Sequence, residues 1–278
     1  MPDSLARSVA SNEWNEEEPL PGTVADVPAL LTHEERRMLV WVARHAPPGA
    51  IVELGSFLGG STVALAHGVA TSASPAREIY SFDQFKCPMP TLGRFISEEM
   101  LAKCVPTNNF RPVYDLHIAP FAANIKTVHG NILEESWDQP IALLFVDIMK
   151  TWEVSDYVVQ TFFPHLEVGS IVVHQDYLYD RCPWIIFVMN QLSDCFELLG
   201  ATEENSAIFR MTRRTTQHDI ERALSPSFGP DGFVGAIDAA ARAFDRPAQL
   251  SILASARQNV LDCPDVQYEG HYPRRPKP

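Results

Sequence analysis

Between residues 50 and 177 the sequence alternates short apolar runs with helical stretches, and no other feature narrows the choice of fold as far. The runs are AIVELGS, EIYSFD, IKTVHG, IALLFVDI and GSIVVHQDY; STVALAHGVA, a longer helical region and VSDYVVQTFFPHL lie among them. Val, Ile, Leu and Phe follow one another in these runs without a polar residue at every second place. Strands of that kind are buried on both faces, as in a parallel sheet covered by helices. Strand–helix alternation predicts an α/β fold, a doubly wound Rossmann-like sheet. Further on, FELLGA and SAIFRMT flank Thr202-Glu203-Glu204-Asn205. They read as an antiparallel hairpin at the sheet's edge, which brings the sheet to seven strands.

The flanks divide the chain. Residues 1–27 mix Pro, acids and small polar residues and read as a flexible arm. Thr32 and Glu35 have the spacing of a capping box, Met38, Leu39, Val42 and Ala43 continue a helix, and Pro47-Pro48-Gly49 ends it. The main domain is expected over 28–214, with a further helix near 183–192. Within it, 86–109 is longer than an ordinary loop and holds an amphipathic piece near 94–103. It reads equally as a substrate lid or as a decorative insertion. Residues 215–263 read as a helical extension of two or three helices, open to use as a dimer contact in a homodimer or as a cover for the pocket. The Pro-rich tail 264–278 is expected to be extended or disordered.

Charge and composition exclude several classes. The formal net charge is -13, and the basic clusters Arg213-Arg214 and Arg274-Arg275-Pro276-Lys277 are short. A nucleic-acid partner is not expected of such a chain. No apolar run is long enough to cross a bilayer, so no membrane partner is expected either. The first residues lack the apolar core of a signal peptide, and the expected location is cytoplasmic. Five cysteines (Cys87, Cys104, Cys182, Cys195 and Cys263) are widely spaced and odd in number, which fits reduced thiols better than disulfides or zinc.

Four segments carry candidate chemistry. In Val52-Glu53-Leu54-Gly55-Ser56-Phe57-Leu58-Gly59-Gly60-Ser61-Thr62 a buried strand turns into a helix. Gly55 and Gly59 allow a tight turn and close approach of a ligand. Free N–H groups and the hydroxyls of Ser61 and Thr62 can hold a carboxylate there. Glu53 offers a negative charge to an ammonium. The dinucleotide pattern GxGxxG is absent, which counts against a dehydrogenase. Asp83 ends the second strand, where an acid can accept hydrogen bonds from ribose hydroxyls. Asp147-Ile148-Met149-Lys150 and His174-Gln175-Asp176 follow the fourth and fifth strands, at carboxyl ends that can converge above the sheet. Asp147, Asp176 and the Gln175 carbonyl are hard oxygen donors suited to Mg²⁺. They also read as groups that bind substrate or backbone with no metal. Lys150, and after it His174, are the candidate bases.

VELGSFLGGST, FD, VHGN, LLFVD and GSIVVHQDY together resemble the motif series of class I S-adenosylmethionine-dependent methyltransferases, with the small-molecule O-methyltransferases of the catechol and macrocin types as the nearest relatives. The similarity runs over about 32–212. It implies a seven-stranded sheet with an antiparallel last hairpin and S-adenosylmethionine as cofactor. Glu53, Gly55 and Ser61 would surround the methionine part, with Ser56 and Gly59 in the same turn. Asp83 would bind the ribose, and Gly130, Asn131 and Ile132 the adenine. Asp147 would serve both cofactor and metal. In catechol-type enzymes a divalent ion is held at the positions of Asp147, Gln175 and Asp176, and a lysine base stands at that of Lys150. Gln175 departs from the family's usual acid. The expected activity is methyl transfer to a hydroxyl of a small molecule, a secondary metabolite or sugar. Metal-free O- or N-methylation and a non-catalytic cofactor-binding relative are the alternatives.

Overall fold

The computed structural model describes residues 4–16 and 19–273. Among them are seven strands: β1 (Ala50–Leu54), β2 (Ile79–Asp83), β3 (Ile125–His129), β4 (Ile141–Val146), β5 (Leu166–Leu178), β6 (Phe196–Ala201) and β7 (Asn205–Met211). They form one sheet in the order β3-β2-β1-β4-β5-β7-β6. The β1–β2 and β2–β3 pairs are parallel, while β5–β7 and β7–β6 are antiparallel. The expected fold is thus the observed one. The hairpin lies at the edge as predicted, with β7 beside β5 and β6 outermost. All six residues of β4 are buried, as its uniformly apolar sequence requires, whereas edge strand β3 is buried only at Ile125.

The chain falls into two compact units, Met1–Glu135 with Ala142–Leu144, and Ser136–Ile141 with Phe145–Pro278. In the first, helix His33–His45 begins in the capping box foreseen: Thr32 accepts from the Glu35 N–H and Glu35 from the Thr32 N–H. It packs on helix Gly60–Ala70. The contact needs Gly68, because a Cβ there would lie 2.3 Å from the Val40 carbonyl oxygen. Of residues 1–27, expected to be a flexible arm, those described carry helix Ser4–Ala10, a turn at Glu13–Asn15 and helix Gly22–Ala25, while 1–3 and 17–18 lie outside the described residues. Trp14 is fully buried, edge-on to Trp41 at 6.2 Å. The Arg37 guanidinium donates to the carbonyls of Trp14 and Asn15, both at 2.8 Å. A buried tryptophan removes roughly 150–250 Å² from water, about 4–6 kcal/mol by area, enough to dock an otherwise polar segment.

Segment 86–109 holds the short helices Met89–Leu92 and Glu98–Ala102. Its ends meet at a Lys86–Asn109 bridge, and the Phe95 ring stands edge-on to Phe57 at 5.3 Å. In the second unit, helices Trp152–Thr161 and Pro183–Gln191 accompany β5–β7, and Gln217–Arg222, Pro230–Ala241 and Pro247–Asp262 form the expected extension. Beyond Pro264 the chain is not loose: Tyr268 bridges Thr151, and Tyr272 is buried. The remainder of the predicted tail, 274–278, lies outside the described residues. Among the described residues no helix is long and apolar enough to cross a membrane.

Candidate active site

The glycine turn after β1 is built around two acids, the buried Glu53 and the half-buried Asp83. Parallel pairing puts Glu53 beside Ser81 of β2, and the helix that follows the turn brings Thr62 to it. One oxygen of the Glu53 carboxyl, Oε2, accepts from the Thr62 and Ser81 hydroxyls, each at 2.6 Å. The other, Oε1, is buried and has no hydrogen-bond partner. Burial pushes the Glu53 carboxyl up to about 7; the hydroxyls of Ser61, Ser81 and Thr62 oppose the shift, and the Asp83 charge adds to it. Beside it the buried Tyr114 hydroxyl is pushed up to about 12, first by burial and then by the Glu53 charge.

Asp83 organises the turn itself. Its Oδ2 accepts from the N–H groups of Ser56 and Phe57, both at 2.9 Å, and its Oδ1 from the Phe85 N–H at 2.7 Å. Phe57 (φ 46°) and Phe85 (φ 53°) are both left-handed, a conformation that bulky residues rarely adopt. One carboxylate therefore holds two strained residues in place, a kind of strain that clusters at ligand-binding turns. Gly55 (φ 91°) and Gly59 (φ 94°) supply the rest of the turn. Burial raises the Asp83 carboxyl, and the three backbone N–H groups limit the rise. Oδ1 accepts one of these hydrogen bonds and keeps a lone pair free for a further donor.

Of the expected adenine-lining residues, Gly130 follows β3 and donates its N–H to the Asp83 carbonyl at 3.1 Å. A Cβ on Gly130 would fall 2.1 Å from the Glu135 carboxylate. Asn131 caps the short turn Ile132–Glu134 and accepts from the Gln84 amide at 3.2 Å, and Ile132 is buried. Ser56 and Ser61 are both buried at the turn. Apart from Asp147, which belongs to the other unit, the residues expected from the sequence to bind the cofactor are therefore neighbours in one unit. A cavity of about 530 Å³ in the same unit, lined by Pro21, Val40, Arg44, His67 and Thr71, touches the far end of helix Gly60–Ala70 and none of these residues.

The second cluster lies at the ends of β4 and β5. Lys150 donates from Nζ to Asp147 Oδ1 at 3.0 Å and to Asp176 Oδ2. Burial alone would lower the Lys150 ammonium, but Asp147 and Asp176 outweigh it and hold the group above the ordinary lysine value. The loop is fixed from both sides: the Trp184 indole donates to the Met149 carbonyl at 2.7 Å, and the Glu269 N–H to the Lys150 carbonyl at 2.9 Å. The Thr151 hydroxyl accepts from the Val154 N–H and starts the next helix. Gln175 and Asp176 are nearly buried, in a stretch where the β5–β7 register shifts between His174 and Leu178. Such a bulge re-aims side chains.

His174 does not join this cluster. It is fully buried, its ring faces Phe163 and Phe209, each at 6.2 Å, and neither nitrogen has a hydrogen-bond partner. Burial pushes its pKa down to about 3. A neutral imidazole sealed among phenylalanines has no route to a substrate proton.

Two contributors were absent from the sequence reading. Ser81 could have been found, because it faces Glu53 once the parallel register of β1 and β2 is assumed. Segment 267–272, which ties down the Lys150 loop, carries no local signal.

A family described as "Methyltransferase domain" matches residues 52–177. That segment runs from β1 into β5 and holds every residue of both clusters except the contributors from 179–272, so the resemblance to class I methyltransferases holds where the motifs lie. Among solved structures, the O-methyltransferase NovP is 15% identical, with 75% of this chain and 97% of that one covered and a TM-score of 0.49. CalS11, a TDP-rhamnose 3'-O-methyltransferase in calicheamicin biosynthesis, is 22% identical, with 76% and 96% covered and a TM-score of 0.46. An O-methyltransferase from Bacillus cereus in complex with SAH is 12% identical, with 75% and 100% covered and a TM-score of 0.47. No curated protein matches the chain.

Proposed function

We propose that this chain transfers a methyl group from S-adenosylmethionine to a hydroxyl of a small molecule, a secondary metabolite or a sugar. The observation that carries this reading is the unpartnered Glu53 Oε1, buried under the glycine turn of the segment that matches a methyltransferase domain. A buried carboxylate oxygen without a donor is costly and suits an incoming ammonium, such as that of the cofactor's amino-acid end. The residues at this turn fit the cofactor. Glu53 would hold the ammonium, Gly55 and Gly59 let the backbone approach, the free lone pair of Asp83 would accept from a ribose hydroxyl, and Gly130, Asn131 and Ile132 would border the base. When bound, the cofactor supplies an electrophilic methyl group on sulfur.

The chain's own task is to orient the accepting oxygen and take up its proton. Sealed away, His174 is set aside for the second part. Lys150, held between two carboxylates, is suited to donate a hydrogen bond to the substrate oxygen, and the acid–lysine cluster to receive the proton. Segment 86–109, pinned at both ends and held by the edge-on contact of Phe95 with Phe57 of the turn, would cover the cofactor as a lid.

The divalent ion implied by the resemblance does not fit the donor set as built. The ammonium of Lys150 bonds both candidate carboxylates, the remaining candidate Gln175 is uncharged, and no group of three His, Cys, Asp or Glu suited to a metal occurs among the described residues.

Calorimetric titration of S-adenosylmethionine into wild-type protein and Glu53→Gln tests the reading. Micromolar binding that weakens at least ten-fold in the variant supports it. No binding by folded wild-type protein refutes it. A screen of hydroxylated metabolites and sugars with methyl-labelled cofactor then identifies the acceptor class.

A further inference from the structure

We propose that Lys150 is the resident cation of the Asp147–Asp176 pair and stands where a divalent metal would otherwise sit, so that this site works with an ammonium and binds no Mg²⁺ or Mn²⁺. The inference rests on the methyltransferase reading for its use but not for its geometry.

Three features carry it. First, Nζ reaches both carboxylates at once, Asp147 Oδ1 at 3.0 Å and Asp176 Oδ2 on the neighbouring strand's end. A lysine bound to one acid is an ordinary ion pair, whereas one that bridges two acids from separate loops fills the space in which a metal would take an oxygen from each. Second, this is not a surface lysine resting on a convenient neighbour. Asp176 is only 8% exposed in its side chain and Lys150 about a third exposed, at 35%. The backbone at Lys150 is fixed by the Glu269 N–H on its carbonyl, and the preceding carbonyl by the Trp184 indole. The chain thus delivers the ammonium to this place from a loop anchored on both sides. Third, the donor set lacks the charge that a hard dication wants. Gln175 brings an amide and no charge, and a dication brought beside Asp147 and Asp176 would have to share them with an adjacent positive charge.

The lysine then does two things that a metal does in such a site. It keeps two like charges from repelling each other, and it presents a donor at a fixed point to an oxygen that is losing a proton. It differs from a metal in offering single hydrogen bonds in place of bidentate chelation. The site should therefore accept an isolated hydroxyl as readily as a vicinal diol.

The test uses the full chain and Mn²⁺ as probe, followed by electron paramagnetic resonance, with Lys150→Ala and Lys150→Arg alongside. We expect wild type and Lys150→Arg to bind no Mn²⁺ at millimolar concentration. Lys150→Ala should expose both carboxylates and gain a site at least ten-fold tighter, which Lys150→Ala combined with Asp176→Asn loses again. Stoichiometric Mn²⁺ binding by wild type that Asp176→Asn abolishes would overturn the proposal. So would the absence of any gain in Lys150→Ala shown to be folded by circular dichroism. Calorimetry of S-adenosylmethionine on the same samples reads the cofactor site separately, so loss of that binding would refute the proposed function and leave the Mn²⁺ result standing.

Discussion

Glu53→Gln should be less stable than wild type at pH 4.5 and regain that difference, or more, by pH 8. In the folded chain the Glu53 carboxyl titrates at about 7, against an ordinary value of 4.5. Its folded value is raised, so the stability it allows is complete below 4.5. That stability is lost as pH rises, because between 4.5 and 7 the folded chain holds a proton that the unfolded chain has released. The difference of about 2.5 units corresponds to roughly 3 kcal/mol. Glutamine keeps an oxygen for the Thr62 and Ser81 hydroxyls and places an uncharged amide where Oε1 has no partner. It removes the charge penalty at the cost of a buried amide nitrogen without partners, about 1–3 kcal/mol. The net gain at pH 8 is therefore smaller than 3 kcal/mol, but its change with pH is not affected by that constant cost. Urea unfolding of both proteins at pH 5, 6, 7 and 8, followed by tryptophan fluorescence, gives the difference free of the background shared by all other groups. A difference that shifts in the variant's favour by more than about 2 kcal/mol across this range is expected. A gap constant to within about 0.5 kcal/mol would refute the reasoning, because it would mean that Glu53 is solvated or already ionised at low pH.

Four further outcomes follow from the geometry. Gly59→Ala puts a side chain at φ 94° with its Cβ 3.2 Å from the Tyr114 ring, and should cost about 1–2 kcal/mol in urea unfolding. Asp83→Asn leaves at most one acceptor oxygen for three backbone N–H groups; a loss of about 2–3 kcal/mol is expected, with weaker cofactor binding by calorimetry. Trp14→Ala should lower stability by about 3–5 kcal/mol, and limited proteolysis should then cut within residues 4–27 first. His174→Leu removes two unpaired buried nitrogens and should hold or raise the thermal midpoint; a large fall would show that the imidazole is bonded after all.

The sheet was legible because its signal is local. Uninterrupted apolar runs mark strands β1, β4 and β5 directly, and Thr32 and Glu35 mark a helix start within four residues. The glycine turn and Asp83 were legible as positions, but not in full as roles. Asp83 is spent first on the N–H groups of Ser56, Phe57 and Phe85, which depends on how the turn folds back over β2. The Thr62 hydroxyl, read as a ligand contact, instead secures Glu53. Lys150 was read as a base from its place in the resemblance, which cannot show that its ammonium reaches both Asp147 and Asp176. His174 was misleading for a similar reason: a strand's alternation predicts its face, and the register shift after it changes which face its successors share. The polar composition of residues 4–27 hid Trp14, since one buried ring outweighs many solvated neighbours.

The two backbone hydrogen bonds that join the Lys150 loop to the distant segment, Glu269 N–H to the Lys150 carbonyl and Trp152 N–H to the Gln267 carbonyl, also set an order of events during synthesis. The glycine turn and its acids belong to a unit whose last residue is Leu144. The loop that carries the lysine must wait until residue 269 emerges, because contacts this far apart in sequence form late. A nascent chain would acquire the first cluster well before the second and spend that interval as a folded sheet with an unfinished loop.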